Sequence, residues 1–253
     1  MSPISRRKLI TTGAAAAVTG VAGVAVAARL AERYGLIPPD HGGIYGCGET
    51  LTYAAQRVLT AHSPAREFPR SMISAAPFAN EIAPPTDAFK QHQASNFADW
   101  RLKIDGMVAR PVSLSLSDLK TFPVSSQITE VACEEGWSYI AEWIGTPLVD
   151  VLHTAGVLPQ ARYVVYYSIE APWWESIDMA DALHPQTLLT MGMNGGDLPV
   201  RFGGPLRLRV PRQLGYKSVK FLNRITVTDS LKGFGKGLGS ASPEAGYAWY
   251  GGI

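Results

Sequence analysis

The sequence predicts an α+β fold, a strand-rich core with short helices around it. Three observations carry this. Runs such as Arg162–Ile169 (RYVVYYSI), Leu206–Pro211 (LRLRVP) and Asn223–Asp229 (NRITVTD) have the β-branched and aromatic content of strands. The helical patterns, Thr50–His62 and Thr146–Gly156, are short and separated. A chain of 253 residues with 46% hydrophobic and 17% charged residues is globular and long enough for one good core or two small ones.

Taken in order, the chain opens with Ser5-Arg6-Arg7-Lys8-Leu9-Ile10 and an uncharged Ala/Gly/Val-rich run to Ala28, ending in the A-x-A site Ala25-Val26-Ala27. This reads as a twin-arginine export signal over residues 1–27, or, uncleaved, as a membrane anchor. Without those residues the charge is 20 basic against 21 acidic, so the formal +2 belongs to the leader and nothing suggests nucleic acid.

Residues 28–93 read as an N-terminal arm and helix. Thr50–His62 places Leu51, Ala54, Ala55, Val58 and Leu59 on one side, with Pro64 as the stop. Cys47 lacks the upstream Leu of a lipobox and reads as free or structural. Ala83–Gln93, with Pro84-Pro85, reads as an extended arm. Residues 94–230 form the main domain. Its first strand is Arg101–Ile104, with a turn at Asp105-Gly106 and Ser117 as an N-cap further on. Thr146–Gly156 is a core helix through Leu148, Val151, Leu152 and Ala155. Asn194-Gly195 marks a turn, and His184 before Pro185 reads as structural. Residues 231–253 are a Gly-rich linker and an aromatic tail packed on the body.

The richest stretch is Val131-Ala132-Cys133-Glu134-Glu135-Gly136-Trp137-Ser138, followed by Trp143-Ile144-Gly145. Cys133 follows the strand-like Gln127-Ile128-Thr129, at a strand end, where functional residues concentrate. Its thiol has three readings: a buried structural group, a disulfide partner of Cys47, or a thiolate nucleophile or soft metal ligand. Zinc is disfavoured, because no second Cys or His lies at ligand spacing. Two further features invite a ligand. Arg207 and Arg209 share a strand face, either as a solvated edge or as an anion clamp. Gly215-Tyr216-Lys217-Ser218-Val219-Lys220 offers a glycine turn, backbone N–H groups and lysines for a phosphate.

C-x-x-G-W-S followed by W-x-G, with P-L-R-L-R-V-P and G-Y-K-S-x-K, resembles the sulfite-oxidase-like molybdopterin oxidoreductases. Within them it is most similar to the periplasmic protein-methionine-sulfoxide reductase catalytic subunits, from about Asn96 to the C-terminus. The resemblance implies the sulfite-oxidase-like fold for residues 94–230 and a molybdenum–molybdopterin cofactor with Cys133 as the protein's metal ligand. It also implies cofactor contacts from Asn96, Asp99, Ser168, Phe202, Arg207, Ser218, Val219 and Lys220. Phe202 departs from the family, whose members carry Asn or His there. Glu134, Glu135, Trp137, Trp173 and Trp174 are the expected rim, with Glu134 and Trp137 beside Cys133 as catalytic candidates.

The implied activity is oxygen-atom transfer. Acidic Glu134-Glu135 would repel sulfite and favour a neutral sulfoxide or N-oxide, small or protein-bound. No C-x-x-C-H is present, so electrons would pass through a separate partner, with a membrane haem protein as the family's example. A monomer in the periplasm is expected, since too little chain follows Asp229 for an immunoglobulin-like dimerisation domain. Sulfite-type oxidation, a cofactor-free periplasmic binding module and an envelope interaction domain built on the aromatic tail are the alternatives.

Overall fold

A computed structural model describes residues 35–41, 43–80, 84, 86–170 and 173–253, with Arg29 and Ala31 besides. Residues 1–27, expected to be an export signal with a cleavage site, lie outside the described residues. Two sheets make the core. The first has the order β2 (Val112–Ser115), β1 (Arg101–Gly106), β10 (Leu222–Thr228), β5 (Tyr163–Ser168), β6 (Trp174–Asp178). Only its β1–β10 pair is parallel. The second runs β3 (Ser125–Ala132), β4 (Ser138–Pro147), β7 (Leu188–Met193), β8 (Gly196–Asp197), and β9 (Arg207–Arg209) also pairs with β7. The mixture of mostly antiparallel strands with short helices is α+β, as the strand-rich runs predict.

Burial follows the period-2 rule. β1 buries Leu102 and Ile104, and β3 buries Gln127, Thr129 and Val131. Helix α4 (Leu148–Ala155) supplies Leu148, Val151, Leu152 and Ala155 to the main cluster, all fully buried. Each of the larger ones is worth about 1.5–3 kcal/mol of apolar burial. Gly156, at φ 72°, ends the helix in the left-handed region.

Several expectations shift. The strand β1 runs on through Asp105 and Gly106, which pair with Thr226 and Val227 instead of turning. Gly106 is required there, because a Cβ would meet the Val227 carbonyl at 2.1 Å. The N-cap of α3 (Leu116–Leu119) is Ser115, not Ser117, since Ser115 and Asp118 form a reciprocal capping box. Most of the expected extended arm is helix α2 (Asp87–Ala94), capped by Thr86 and anchored by Phe89 against Trp100 and Phe221.

Helix α1 (Cys47–Leu59) starts three residues early, and its aliphatic stripe faces solvent: Leu51, Val58 and Leu59 are exposed. The packed face is polar and aromatic instead. Tyr53 packs edge-on against Trp249 and Tyr250, while Arg57 reaches Asp178 and Asp181 at 2.6 Å each. No helix among the described residues is long and apolar enough to cross a membrane.

Candidate active site

The β3–β4 hairpin carries the key residue. Its strands pair in unbroken register to Ala132 and Ser138, and Cys133–Trp137 form the turn. Cys133 N–H donates to the Trp137 carbonyl, and Gly136 (φ 90°) returns a bond to the Cys133 carbonyl. The thiol is therefore held at the end of a rigid ladder. It is half-buried, unpaired with Cys47, and donates to Glu134 Oε2 at 3.3 Å. Burial, with Glu134 and Glu135 beside it, pushes its pKa up to about 12, against a weaker opposing hydrogen bond from the backbone of Glu135. A thiolate here needs a cation as partner. No group of three or more His, Cys, Asp or Glu that could hold a metal occurs among the described residues, so any metal would need most of its ligands from a cofactor.

Cys133 opens into a cavity of about 180 Å³ with a wide mouth. One wall is aromatic. Trp137 stacks on Tyr139 (5.9 Å, 11°), touches Phe78 (4.9 Å) and donates from Nε1 to Glu135; Tyr139 in turn packs on Phe202. The floor is basic. Arg207 donates to the carbonyls of Ser218 and Phe202, and Arg209 to Ser218 Oγ and the Glu130 carbonyl. Both guanidiniums lie over the Trp143 ring, at 5.3 and 5.6 Å. They share a face as the alternation predicts, but they are buried, so the solvated-edge reading fails.

Neither arginine has a carboxylate partner in the ion pairs of the described residues, and Arg209 Nε is buried with no acceptor. Burial, then Arg207 beside it, lowers the Arg209 guanidinium to about 9. It remains charged at neutral pH, a cation kept without a counter-charge. Ser218 Oγ already accepts from Arg209 and from Val210 N–H, leaving its own O–H as a donor for an acceptor in the cavity. Lys220 stands at the mouth, 3.2 Å from Asn80 Oδ1. Gly203 (φ 106°) lets it pack close, since a Cβ there would meet Lys220 Cβ at 2.9 Å. One thiol facing guanidinium, hydroxyl and ammonium donors fits a cofactor that brings its own metal and an anionic end.

Cys133, Glu134, Trp137, Ser168, Phe202, Arg207, Ser218, Val219 and Lys220 all line this cavity, as do Glu135 and Trp173. Asn96 and Asp99 do not. Asn96 ends helix α2 in a left-handed turn (φ 49°), and both residues are exposed outside the cavity. Phe78, Ala79 and Asn80, which the sequence did not single out, line the cavity. Trp174 also lies away from the rim, packed with Tyr167 and Phe234. Phe202 supplies an apolar wall, and its backbone N–H and carbonyl are bonded to Pro199 and Arg207. Lys217, read with the phosphate cradle, is turned inward on Glu175 at 2.7 Å. The tail contributes Ser242 and Tyr247 to the wall, which aromatic content hinted at without giving a place.

Fold and site thus define a domain in which a single protein thiol faces guanidinium, hydroxyl and ammonium donors across one cavity. The model of the family described as the oxidoreductase molybdopterin binding domain matches residues 89–233, and the chain belongs to that family. It is 37% identical over 185 residues to a protein of Azospira oryzae with the provisional name protein-methionine-sulfoxide reductase subunit YedZ1. That match covers 73% of this chain and 66% of the relative. It is 34% identical over 161 residues to the protein-methionine-sulfoxide reductase catalytic subunit MsrP of Xanthomonas campestris pv. campestris, covering 58% and 50%. The chain therefore spans between half and about two thirds of these relatives' lengths. Among solved structures it is similar to the sulfane dehydrogenase SoxCD of Paracoccus pantotrophus, with TM-score 0.51 and 26% identity over 53% of this chain and 39% of that one.

Proposed function

We propose that the protein is an exported molybdopterin-dependent oxidoreductase that reduces a sulfoxide or N-oxide by oxygen-atom transfer. The observation that carries this is the Cys133 thiol on a cavity lined by Arg207, Ser218 and Lys220, with Arg209 buried behind Ser218 and neither arginine in an ion pair with a carboxylate among the described residues. The match to the molybdopterin-binding family and the names of the two sulfoxide-reductase relatives support it. Bound there, the cofactor supplies the two-electron chemistry that takes the substrate oxygen to water.

The chain's own residues divide the remaining work. Cys133, as thiolate, is the protein's ligand to the metal. Arg207, Ser218, the backbone at Val219 and Lys220 hold the anionic end, and Arg209 fixes Ser218 from behind. Ser168 adds a hydroxyl, and Trp137, Tyr139 and Phe202 exclude water from the apolar side. Glu134 and Glu135 put negative charge beside the substrate, which works against sulfite and for a neutral molecule. The balance is sulfoxide plus two electrons and two protons giving thioether and water. The electrons come from a separate redox partner, a membrane haem protein. The twin-arginine leader supports export to the periplasm after the cofactor is inserted.

The test is turnover by purified enzyme with a reduced viologen dye against methionine sulfoxide, dimethyl sulfoxide and trimethylamine N-oxide, beside sulfite with an electron acceptor. Reduction of a sulfoxide or N-oxide, with no sulfite oxidation, is expected. Sulfite oxidation alone would reverse the assigned direction.

A further inference from the structure

A second cavity, a trough of about 530 Å³, lies against the first. Glu134, Tyr216 and Tyr247 line both, so one wall divides them. Tyr216 and Tyr247 stack with centroids 5.5 Å apart. On the far side the trough is made by Tyr45, by α1 through Glu49 and Thr52, and by the tail through Tyr250. The tail is firmly tied: Tyr216 donates to the Ala248 carbonyl at 2.7 Å, Trp249 Nε1 to Ser176 Oγ at 2.8 Å, and Leu214 N–H to the Gly251 carbonyl at 2.7 Å. The matched family segment runs over residues 89–233, so α1 and the tail lie outside it.

The trough is acidic and aromatic. Glu49 is only 8% exposed; its Oε1 accepts from Tyr250 N–H, while its buried Oε2 has no hydrogen-bond partner among the described residues. A place in the first turn of α1 is favourable for an acid, but that does not give Oε2 a donor. Burial first, then Asp40 beside it, pushes the Glu49 carboxyl up, and burial with Glu175, Glu134, Glu49 and Asp40 pushes the Tyr216 phenol up. Glu49 and Glu134 both line the trough, so its ionisable groups are acidic. Nearby cations are already engaged: Lys217 with Glu175, and Arg57 and Arg212 with Asp178 and Asp181. A buried carboxylate oxygen without a donor, set among tyrosine rings, matches a cation carried on an apolar stem, which gains from both.

We propose that this trough is a subsite for an alkylammonium or guanidinium group, the lysine or arginine side chain of a peptide whose oxidised residue occupies the neighbouring cavity. The peptide part rests on the sulfoxide-reductase reading above. The shared wall lets one extended segment reach both cavities, so the trough selects substrates with a basic residue near the reacting one. Glu134 closes the cation site from the metal side, and Glu49 closes it from α1.

Two arms test it on the cofactor-loaded enzyme. In the first, Nα-acetyl-lysine amide is titrated calorimetrically beside Nα-acetyl-norleucine amide, which has the stem without the charge. The lysine probe is expected to bind at least about ten-fold more tightly. Glu49→Gln, which keeps the acceptor for Tyr250 N–H, should remove the difference. Thr52→Arg on the exposed side of α1 should block the trough with the chain's own guanidinium. Equal binding of the two probes, or a preference untouched in both variants, would overturn the cation site.

In the second arm, methionine-sulfoxide peptides carry lysine or norleucine at positions flanking the sulfoxide. The best lysine peptide should have a KM about ten-fold lower, a gain lost in Glu49→Gln while kcat and the KM for free methionine sulfoxide stay unchanged. Probe binding without any lysine preference among peptides would overturn the peptide assignment in favour of a free amine. An enzyme that reduces no sulfoxide contradicts the reductase reading, and the binding arm then still decides the cation site.

Discussion

Two pairs of buried arginines serve opposite ends in this molecule. Arg57 and Arg212 sit with Asp178 and Asp181 at 2.6–3.2 Å and tie α1 and the β9 end to the first sheet. Arg207 and Arg209 are buried as deeply, yet their acceptors are carbonyls and a hydroxyl. A guanidinium buried with carboxylates is scaffold. One buried without them is paired only when an anion arrives, and here it lies beneath the Cys133 cavity.

Breaking the first pair should have the largest effect on stability. Arg57→Met leaves buried Asp178 without a cation and Asp181 with Arg212 alone, and should cost about 3–5 kcal/mol in urea unfolding. The same change at Arg209 should alter the stability of cofactor-free protein by less than about 2 kcal/mol, because lost hydrogen bonds are offset by removing an unpaired charge. Its penalty should appear as cofactor loss on dialysis, read from released pterin fluorescence. Equal destabilisation by the two variants would erase the distinction. Lys220→Gln, at the solvent edge, should weaken cofactor retention only a few-fold, and less at high salt.

The smallest effect is one of pH. His184, on the paired side, accepts from Gln186 N–H at Nδ1 and so is neutral there; burial, then Arg212, lowers its pKa. Its contribution is complete above the ordinary value of 6.5 and is lost as pH falls through the lowered folded value, because the unfolded chain takes up the proton first. Tm should therefore decline slightly on acidification below pH 6.5, and His184→Gln should flatten that part of the profile.

The sequence showed local things well and distant ones poorly. The β3 alternation and the Cys-Glu-Glu-Gly turn placed Cys133 at a strand end, and period 2 put Arg207 and Arg209 on one face. Their burial depended on Trp143 and the β3 edge, which pairing alone does not reveal. Asn96 and Asp99 lie outside the cavity, and a polar stretch before a strand looks alike in sequence wherever the fold sends it. The segment that does reach the cavity, 78–80, has no periodicity, and the stretch before it is docked by long-range bonds such as Ser74 N–H to the Ile140 carbonyl. Helix α1 misled through its aliphatic stripe. Its buried face is chosen by Asp178 and Asp181, over a hundred residues away in sequence.

Elemental mass spectrometry on purified protein, wild type beside Cys133→Ser and Arg209→Met, tests the central claim most directly. The account predicts molybdenum near one per chain in the wild type, altered metal spectra in Cys133→Ser, and loss of metal and pterin together in Arg209→Met with the fold intact. A wild type without molybdenum, from a host that loads a control molybdoenzyme, would contradict it. The unpaired arginines would then need another anion, and Cys133 would be a structural thiol.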